Sequence, residues 1–263
     1  MKMPTLDPRV VPTERWLWSM PPVPAQQHSV PLLIVGSGAA GLMAALEAAQ
    51  HTTVIILTRG PLLQSNSAWA QGGIAAALAP NDAPASQVDD TLIAGAGLSD
   101  RVAVEALVAE APDLMRDLLA AGVPFEHTRD GFALGLEGGH SHRRIVHASD
   151  ATGWAVTSTL AELVRACPSI SILEGYQVVD LLGDDGTCTG VRARDGSGGW
   201  HDFHARATIL ATGGAGALYG LTSNQPAALG EGIALAYRAG AEVADMEFVQ
   251  FHPTVFRTQT GKG

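Results

Sequence analysis

The stretch Pro31-Leu-Leu-Ile-Val-Gly-Ser-Gly-Ala-Ala-Gly41 decides how the chain is read. An apolar run, Leu32 to Val35, meets Gly36-x-Gly38-x-x-Gly41 and then Ala- and Leu-rich, helix-forming sequence. That is the order strand, Gly-rich turn, helix of a dinucleotide-binding βαβ unit. Gly36 permits the tight turn, Gly38 lets the backbone approach a pyrophosphate, and Gly41 lets helix and strand pack closely. The helix N-terminus offers free N–H groups and a positive dipole end to phosphates. The second apolar run, Thr53–Thr58, completes the first half of the unit. Such a unit usually ends its second strand in Asp or Glu, about 20 residues after the glycines, to hold ribose hydroxyls. Here Thr58-Arg59 stands instead, which argues against an ordinary NAD dehydrogenase and asks for another adenosine contact.

The bulk properties agree with an α/β enzyme. The 263 residues are 46% hydrophobic and 16% charged, with 30 glycines, a composition that folds rather than stays disordered. A formal charge of −10 disfavours a nucleic-acid partner. Backbone amides can still bind a diphosphate in an acidic protein. Cys167 and Cys188 lie far apart and outside any CxxC, as two reduced thiols do in a cytosolic protein. No apolar run is long enough to span a membrane, and residues 1–29 lack the apolar region of a secretory signal.

Residues 1–29 are Pro-rich and aperiodic and read as a disordered or surface extension, with organised sequence from about Val30. Leu32–Val35 and Thr53–Thr58 read as buried parallel strands flanking a helix over Ala39–Gln50. Helical periodicity follows over Gln87–Gly97, Arg101–Gly122 and about Gly153–Cys167. Short runs with turn signals between about 170 and 206 read as an inserted antiparallel meander, Trp200–His204 being its last strand. Ala207–Ala211 reads as a further, separate strand that runs into a second Gly-rich turn, Thr212-Gly-Gly-Ala-Gly216, and Glu231–Gly240 as a helix. No internal repeat is present.

Two stretches could carry chemistry. Ser65–Ala77 is too rich in small residues for a simple amphipathic helix. It is either backbone passing close to something flat or bulky, or a tight helix–helix contact. In Leu136-Glu-Gly-Gly-His-Ser-His-Arg-Arg144 the spacing of His140 and His142 is poor for a metal on a helix, and no Cys or paired carboxylate joins them, so no metal site is expected. The loop, with His147, is either solvated and basic or an anion site near a cofactor, where Arg binds a carboxylate bidentately. Glu137 beside it is a salt-bridge partner or a site for an ammonium group. No nucleophile elbow supports hydrolysis.

Several separated stretches together resemble one family, in that family's order: Val35–Gly41, Ala70-Gln-Gly-Gly73, Glu137–Arg144, Asp150-Ala-Thr-Gly153, Ala211-Thr-Gly-Gly214, Gly230-Glu-Gly232 and Glu247-Phe-Val-Gln-Phe-His-Pro253. The family is the flavoproteins related to succinate dehydrogenase and fumarate reductase, and within it the chain looks most like the L-aspartate oxidases. The resemblance implies a Rossmann-like α/β FAD-binding domain over 30–246, with the meander inserted at about 170–206, and the start of a lid domain over 247–263. It implies FAD contacts at Gly36, Ser37, Gly38, Ala39, Ala40 and Gly41, at Arg59, and at Asn66, Ser67, Ala68, Trp69, Ala70, Gln71, Gly72 and Gly73. Thr212, Gly213 and Gly214 complete the set with Val178 near the adenine and Glu231, which replaces the Asp of relatives.

Asn66 stands where covalent-flavin relatives carry a His, so FAD is expected to be held non-covalently. Glu137 stands where succinate and fumarate enzymes carry an apolar residue, and it matches the Glu of L-aspartate oxidases. There a carboxylate can meet the α-ammonium of aspartate, which succinate lacks. His252 matches a contact to a substrate carboxylate. The resemblance therefore implies hydride transfer from Cα of L-aspartate to FAD, giving iminoaspartate for quinolinate synthase in NAD biosynthesis. Oxygen or fumarate would take the electrons, in the cytoplasm. A succinate or fumarate oxidoreductase is the alternative within the family. The family's chains run about twice this length and carry a further catalytic Arg, substrate-holding His and Arg residues and a last Gly-rich FAD segment. A truncated product, active or a catalytically inactive remnant, is the expectation that follows.

Overall fold

The computed structural model describes residues 24–129, 131–184 and 186–251. The chain divides into two compact units. The first comprises Met1–Gly36, His51–Pro61 and Ser171–Gly263, the second Ser37–Gln50 and Leu62–Ile170.

The first unit is built on a six-stranded sheet in the order β8-β2-β1-β11-β10-β9. Its strands are β1 (Gln26–Val35), β2 (Val54–Thr58), β8 (Ile170–Glu174), β9 (Gln177–Asp184), β10 (Thr187–Arg194) and β11 (Trp200–Leu210). β1 runs parallel to both β2 and β11, with Val35 opposite Leu57 on one side and Leu210 on the other. β10 is antiparallel to β11 and to β9. Branched residues such as Val54, Ile55 and Ile56 suit a pleated, buried surface, which is why the continuous apolar runs form strands.

Three boundaries differ from those the sequence suggests. β1 begins at Gln26, so the extension ends before residue 30: Gln26–Val30 pair with His201–Ala205. The ladder passes over Pro31, which has no N–H to give it. The meander comprises β9, β10 and the first half of β11, because β8 lies beside β2 instead. Trp200–His204 and Ala207–Ala211 are not two strands but one, β11, which pairs with β10 at its start and with β1 along its length. Its first half carries the polar residues His201, Asp202 and His204 while its end runs into Ile209 and Leu210, and that change imitates a boundary.

The core of this unit joins Val30, Leu33 and Val35 of β1 to Leu57, Val178, Val191, Ala193 and Phe203. Leu235 of α6 (Glu231–Arg238) packs into the same cluster. Fully burying one such side chain contributes about 1.5–3 kcal/mol. Arg238 ties α6 to β9 by donating from Nη2 to the carbonyl of Val179 at 2.7 Å.

The second unit carries the helices α1 (Ala39–Ala49), α2 (Asn66–Trp69), α3 (Pro84–Ala94), α4 (Arg101–Ala120) and α5 (Thr152–Ala166). α1 and α2 both pack on α5, and α3 packs on α4. Pro84 opens α3 at a position where no N–H is needed, and the carboxylate of Asp100 caps α4 by accepting from Ala103 N–H at 3.1 Å. Short strands complete the unit: β3 (Ile74–Ala75), β6 (Leu134–Gly135) and β7 (Ile145–Val146) in one sheet, β4 (His127–Thr128) and β5 (Gly131–Phe132) in another. Among the described residues, both cysteines are free, and no helix is long and apolar enough to cross a membrane.

Candidate cofactor and substrate site

In the first unit, two glycine turns leave adjacent parallel strands at the same end. Gly36 N–H donates to Leu57 O at 2.9 Å, and Ala211 N–H donates to Val35 O at 2.8 Å. Gly36 has φ +112°, and a Cβ there would run into the carbonyl oxygen of Ala211. Only glycine lets the first turn pass so close to the second. Gly213 is also left-handed, at φ +75°. Gly230 N–H reaches Gly214 O at 3.2 Å, and Gly232 packs where any Cβ would meet Thr212 Oγ1. The Thr212–Gly214 turn is therefore fixed to the start of α6.

That same helix start brings Glu231 to the end of β2. Arg59 Nη1 lies 3.0 Å from Glu231 Oε1, and Gln177 Nε2 donates to that oxygen at 2.9 Å. A carboxylate thus does stand beside the end of β2, delivered by α6. Gln177 had no signal in the sequence; it is simply the first residue of β9. Val178 points its side chain into the core, with 8% exposure.

In the second unit, α1 begins after Gly38, whose own side offers no cap. Ser67 Oγ instead accepts the N–H of Ala39 at 3.1 Å. Ser65 caps α2 by accepting Ala68 N–H at 3.2 Å. A Cβ on Gly38 would lie 3.0 Å from Ser67 Oγ, so the turn and the 65–69 segment are closely apposed. Gly153, at the start of α5, donates to Ala70 O at 2.9 Å, and a Cβ there would collide with the carbonyl of Ser67. Of the two readings of Ser65–Ala77, the tight contact is thus realised: α2 sits on α5. Trp69, Ala70, Gln71 and Gly72 remain exposed beside it. Ser37 is buried, Ala40 exposed and Gly41 buried in α1.

In the polar loop between β6 and β7, Arg143 is exposed, as a solvated loop has it, but Arg144 departs from both readings. Arg144 is neither solvated nor open to an anion: it is fully buried. Its Nε and Nη2 hold the two oxygens of Asp82 at 2.9 Å each, and Nη1 holds Asp90 Oδ2 at 2.8 Å. Neither aspartate carries a local signal for this role; only Pro84, at the first turn of α3, marks the helix start beside Asp82. Glu137 lies at the tip, exposed, in a turn closed by His140 N–H to Glu137 O at 3.3 Å with Gly139 at φ +84°. Among the described residues no cation pairs with its carboxylate. His252 lies outside the described residues. Among those described, no group of three or more His, Cys, Asp or Glu side chains is arranged to hold a metal.

The FAD binding domain family matches residues 32–262. The chain belongs to that family. The chain is 48% identical over 233 residues to L-aspartate oxidase 1 of Ralstonia nicotianae, covering 84% of itself and 43% of that protein. It is 49% identical over 243 residues to the L-aspartate oxidase of Streptomyces coelicolor, covering 89% of itself and 42% of the relative. It thus spans less than half the length of these relatives. Among solved structures it resembles Mycobacterium smegmatis Sdh1 in complex with UQ1, with TM-score 0.83 and 32% identity over 87% of this chain and 41% of that one. The E. coli quinol fumarate reductase FrdA follows at TM-score 0.78 and 31% identity, over 80% and 37%. The mixed α/β, Rossmann-like fold expected from Gly36–Gly41 is that of succinate dehydrogenase and fumarate reductase flavoproteins.

Proposed function

We propose that the chain holds FAD non-covalently and serves the oxidation of L-aspartate to iminoaspartate. The observation that carries the aspartate reading is Glu137, an exposed carboxylate on a glycine turn with no cation paired to it among the described residues. A salt-bridge role needs such a cation; an ammonium site needs its absence. The identity of 48–49% to L-aspartate oxidases over 84–89% of the chain supports the same reading.

The residues fit the cofactor. Gly36 and Gly38 let their turn close where a Cβ would crowd Ala211 O or Ser67 Oγ, and Gly213 and Gly214 have open space where a Cβ would stand, which leaves backbone bare for a diphosphate. Arg59 and Glu231 stand together where the adenosine half is expected. Asn66 carries an amide, which does not bond covalently to a flavin. When bound, FAD supplies the hydride acceptor. Glu137 would hold the α-ammonium of L-aspartate, and His252 one of its carboxylates. Oxidation removes the Cα hydrogen with its electron pair and a proton from nitrogen, leaving the C=N bond of iminoaspartate. Oxygen or fumarate would then accept the electrons, and quinolinate synthase would take the product, in the cytoplasm and for NAD synthesis.

The test is titration of the purified 263-residue chain with FAD, followed by anaerobic addition of L-aspartate or succinate. Aspartate should bleach the flavin absorbance and succinate should not. Bleaching by succinate alone would favour the succinate dehydrogenase reading, which the likeness to Sdh1 supports. A chain that binds no FAD would assign it to the inactive class.

A further inference from the structure

We propose that Asp90 is a positioning residue for this reaction: from α3 it fixes the loop that carries Glu137, and so sets how well the chain distinguishes an α-amino dicarboxylate from a plain one. The inference rests on the reading of Glu137 as the ammonium contact.

Residues 136–144 connect β6 to β7 and contain two glycines and mostly polar side chains. Leu136, the loop's apolar residue, is 51% exposed, so no apolar side chain anchors the tip. The base is closed by Arg144 N–H to Gly135 O at 3.1 Å. Toward the tip, Asp90 Oδ2 accepts both the N–H and the Oγ–H of Ser141, each at 2.8 Å, and Arg144 Nη1 at 2.8 Å. Ser141 directly follows the turn that Glu137 opens and His140 closes. Holding Ser141 by two bonds therefore fixes the turn from its far end. Three donors on one oxygen call for an ionised carboxylate, and these hydrogen bonds, led by the Ser141 amide, hold the Asp90 carboxyl below its ordinary range.

Arg144 makes the arrangement local. It keeps both bonds to Asp82 when Asp90 changes, so its buried charge stays paired. Loss of Asp90 should loosen the loop, leaving it only the longer contacts of Ser86 Oγ to Ser141 Oγ at 3.3 Å and His142 Nδ1 at 3.2 Å, without unfolding its base. A freed loop leaves the Glu137 carboxylate mobile, which weakens a ligand that needs it and spares one that does not.

The experiment measures dissociation constants for L-aspartate and succinate on the FAD-loaded chain, from changes in flavin absorbance, together with amide hydrogen exchange of residues 137–142. Asp90→Asn should weaken L-aspartate about tenfold, the scale of a lost charged hydrogen bond, and succinate less than about twofold. Ser141→Ala, which removes one of the two bonds to Ser141, should produce a smaller change of the same kind. Asp89→Asn, on the exposed neighbour, should change nothing. Exchange at Ser141 should accelerate in Asp90→Asn while Ile145 and Val146 keep their protection. Equal weakening of both ligands would make Asp90 merely structural and overturn the inference. So would a shifted ratio in Glu137→Gln without one in Asp90→Asn, which leaves the functional reading standing. A wild-type chain that fails to distinguish L-aspartate from succinate removes that reading and this inference with it.

Discussion

Arg144 and Asp82 form a bidentate ion pair with both side chains wholly buried, at 2.9 Å through Nε and Nη2. Breaking a buried pair by removing one partner leaves an uncompensated charge, which costs about 3–5 kcal/mol. Arg144→Met should lower unfolding stability by that amount in urea titrations. Adding Asp82→Asn should recover part of the loss, because the orphaned carboxylate is then gone. A single variant within about 1 kcal/mol of wild type would contradict the burial.

Gly36 is a second point where one atom decides. Alanine there would have to hold φ near +112° and displace the Ala211 carbonyl. A left-handed backbone alone costs a non-glycine residue about 1–2 kcal/mol, before the collision. Gly36→Ala should therefore lower the melting temperature and weaken FAD binding together, both read from one set of thermal melts with and without FAD. Retained FAD affinity would show that the turn has room the geometry denies.

Gly153 is tested the same way in the second unit. A methyl group on it meets the Ser67 carbonyl and Ala70. Overpacking of this kind costs typically about 1–3 kcal/mol. Gly153→Ala should move α2 off α5, disturb the Ser67 bond to Ala39 and expose the segment 66–73 to faster amide exchange. Unchanged exchange there would separate Gly153 from the placement of that segment.

His28 gives the chain a pH dependence. His201 Nε2 lies 2.8 Å from Asp195 Oδ2, and its Nδ1 lies 3.0 Å from His28 Nε2. With Asp195 ionised, His201 donates to it from Nε2–H, which leaves Nδ1 to accept from His28. Burial first, and the nearby His201 second, lower the His28 pKa below 6.5. The folded state thus prefers neutral His28, so its stability contribution is complete above pH 6.5 and is lost as pH falls through the depressed value. His28→Gln should flatten the fall in urea midpoint below pH 6.5. An unaltered slope would place the titrating group elsewhere.

The chain shows how far local chemistry carries a reading. Gly36–Gly41 named its own strand, turn and helix because each glycine answers a local backbone demand. The single strand β11 escaped that logic, since its change of pattern reflects which neighbours it has, not where it ends. Arg144 escaped it too. A guanidinium in a His-rich loop reads as exposed and basic until Asp82 and Asp90, more than fifty positions earlier, close on it.

What the residues determined alone was therefore the local menu: two glycine turns, the helices, the apolar strands and the family they resemble. Tertiary structure decided which turns are neighbours, that Glu231 rather than a residue of β2 brings the carboxylate to Arg59, and that Arg144 is a strut. The reason is physical. Turn and helix preferences are settled within a few residues of backbone, whereas the pairing of a buried charge depends on partners that only folding brings within hydrogen-bond distance.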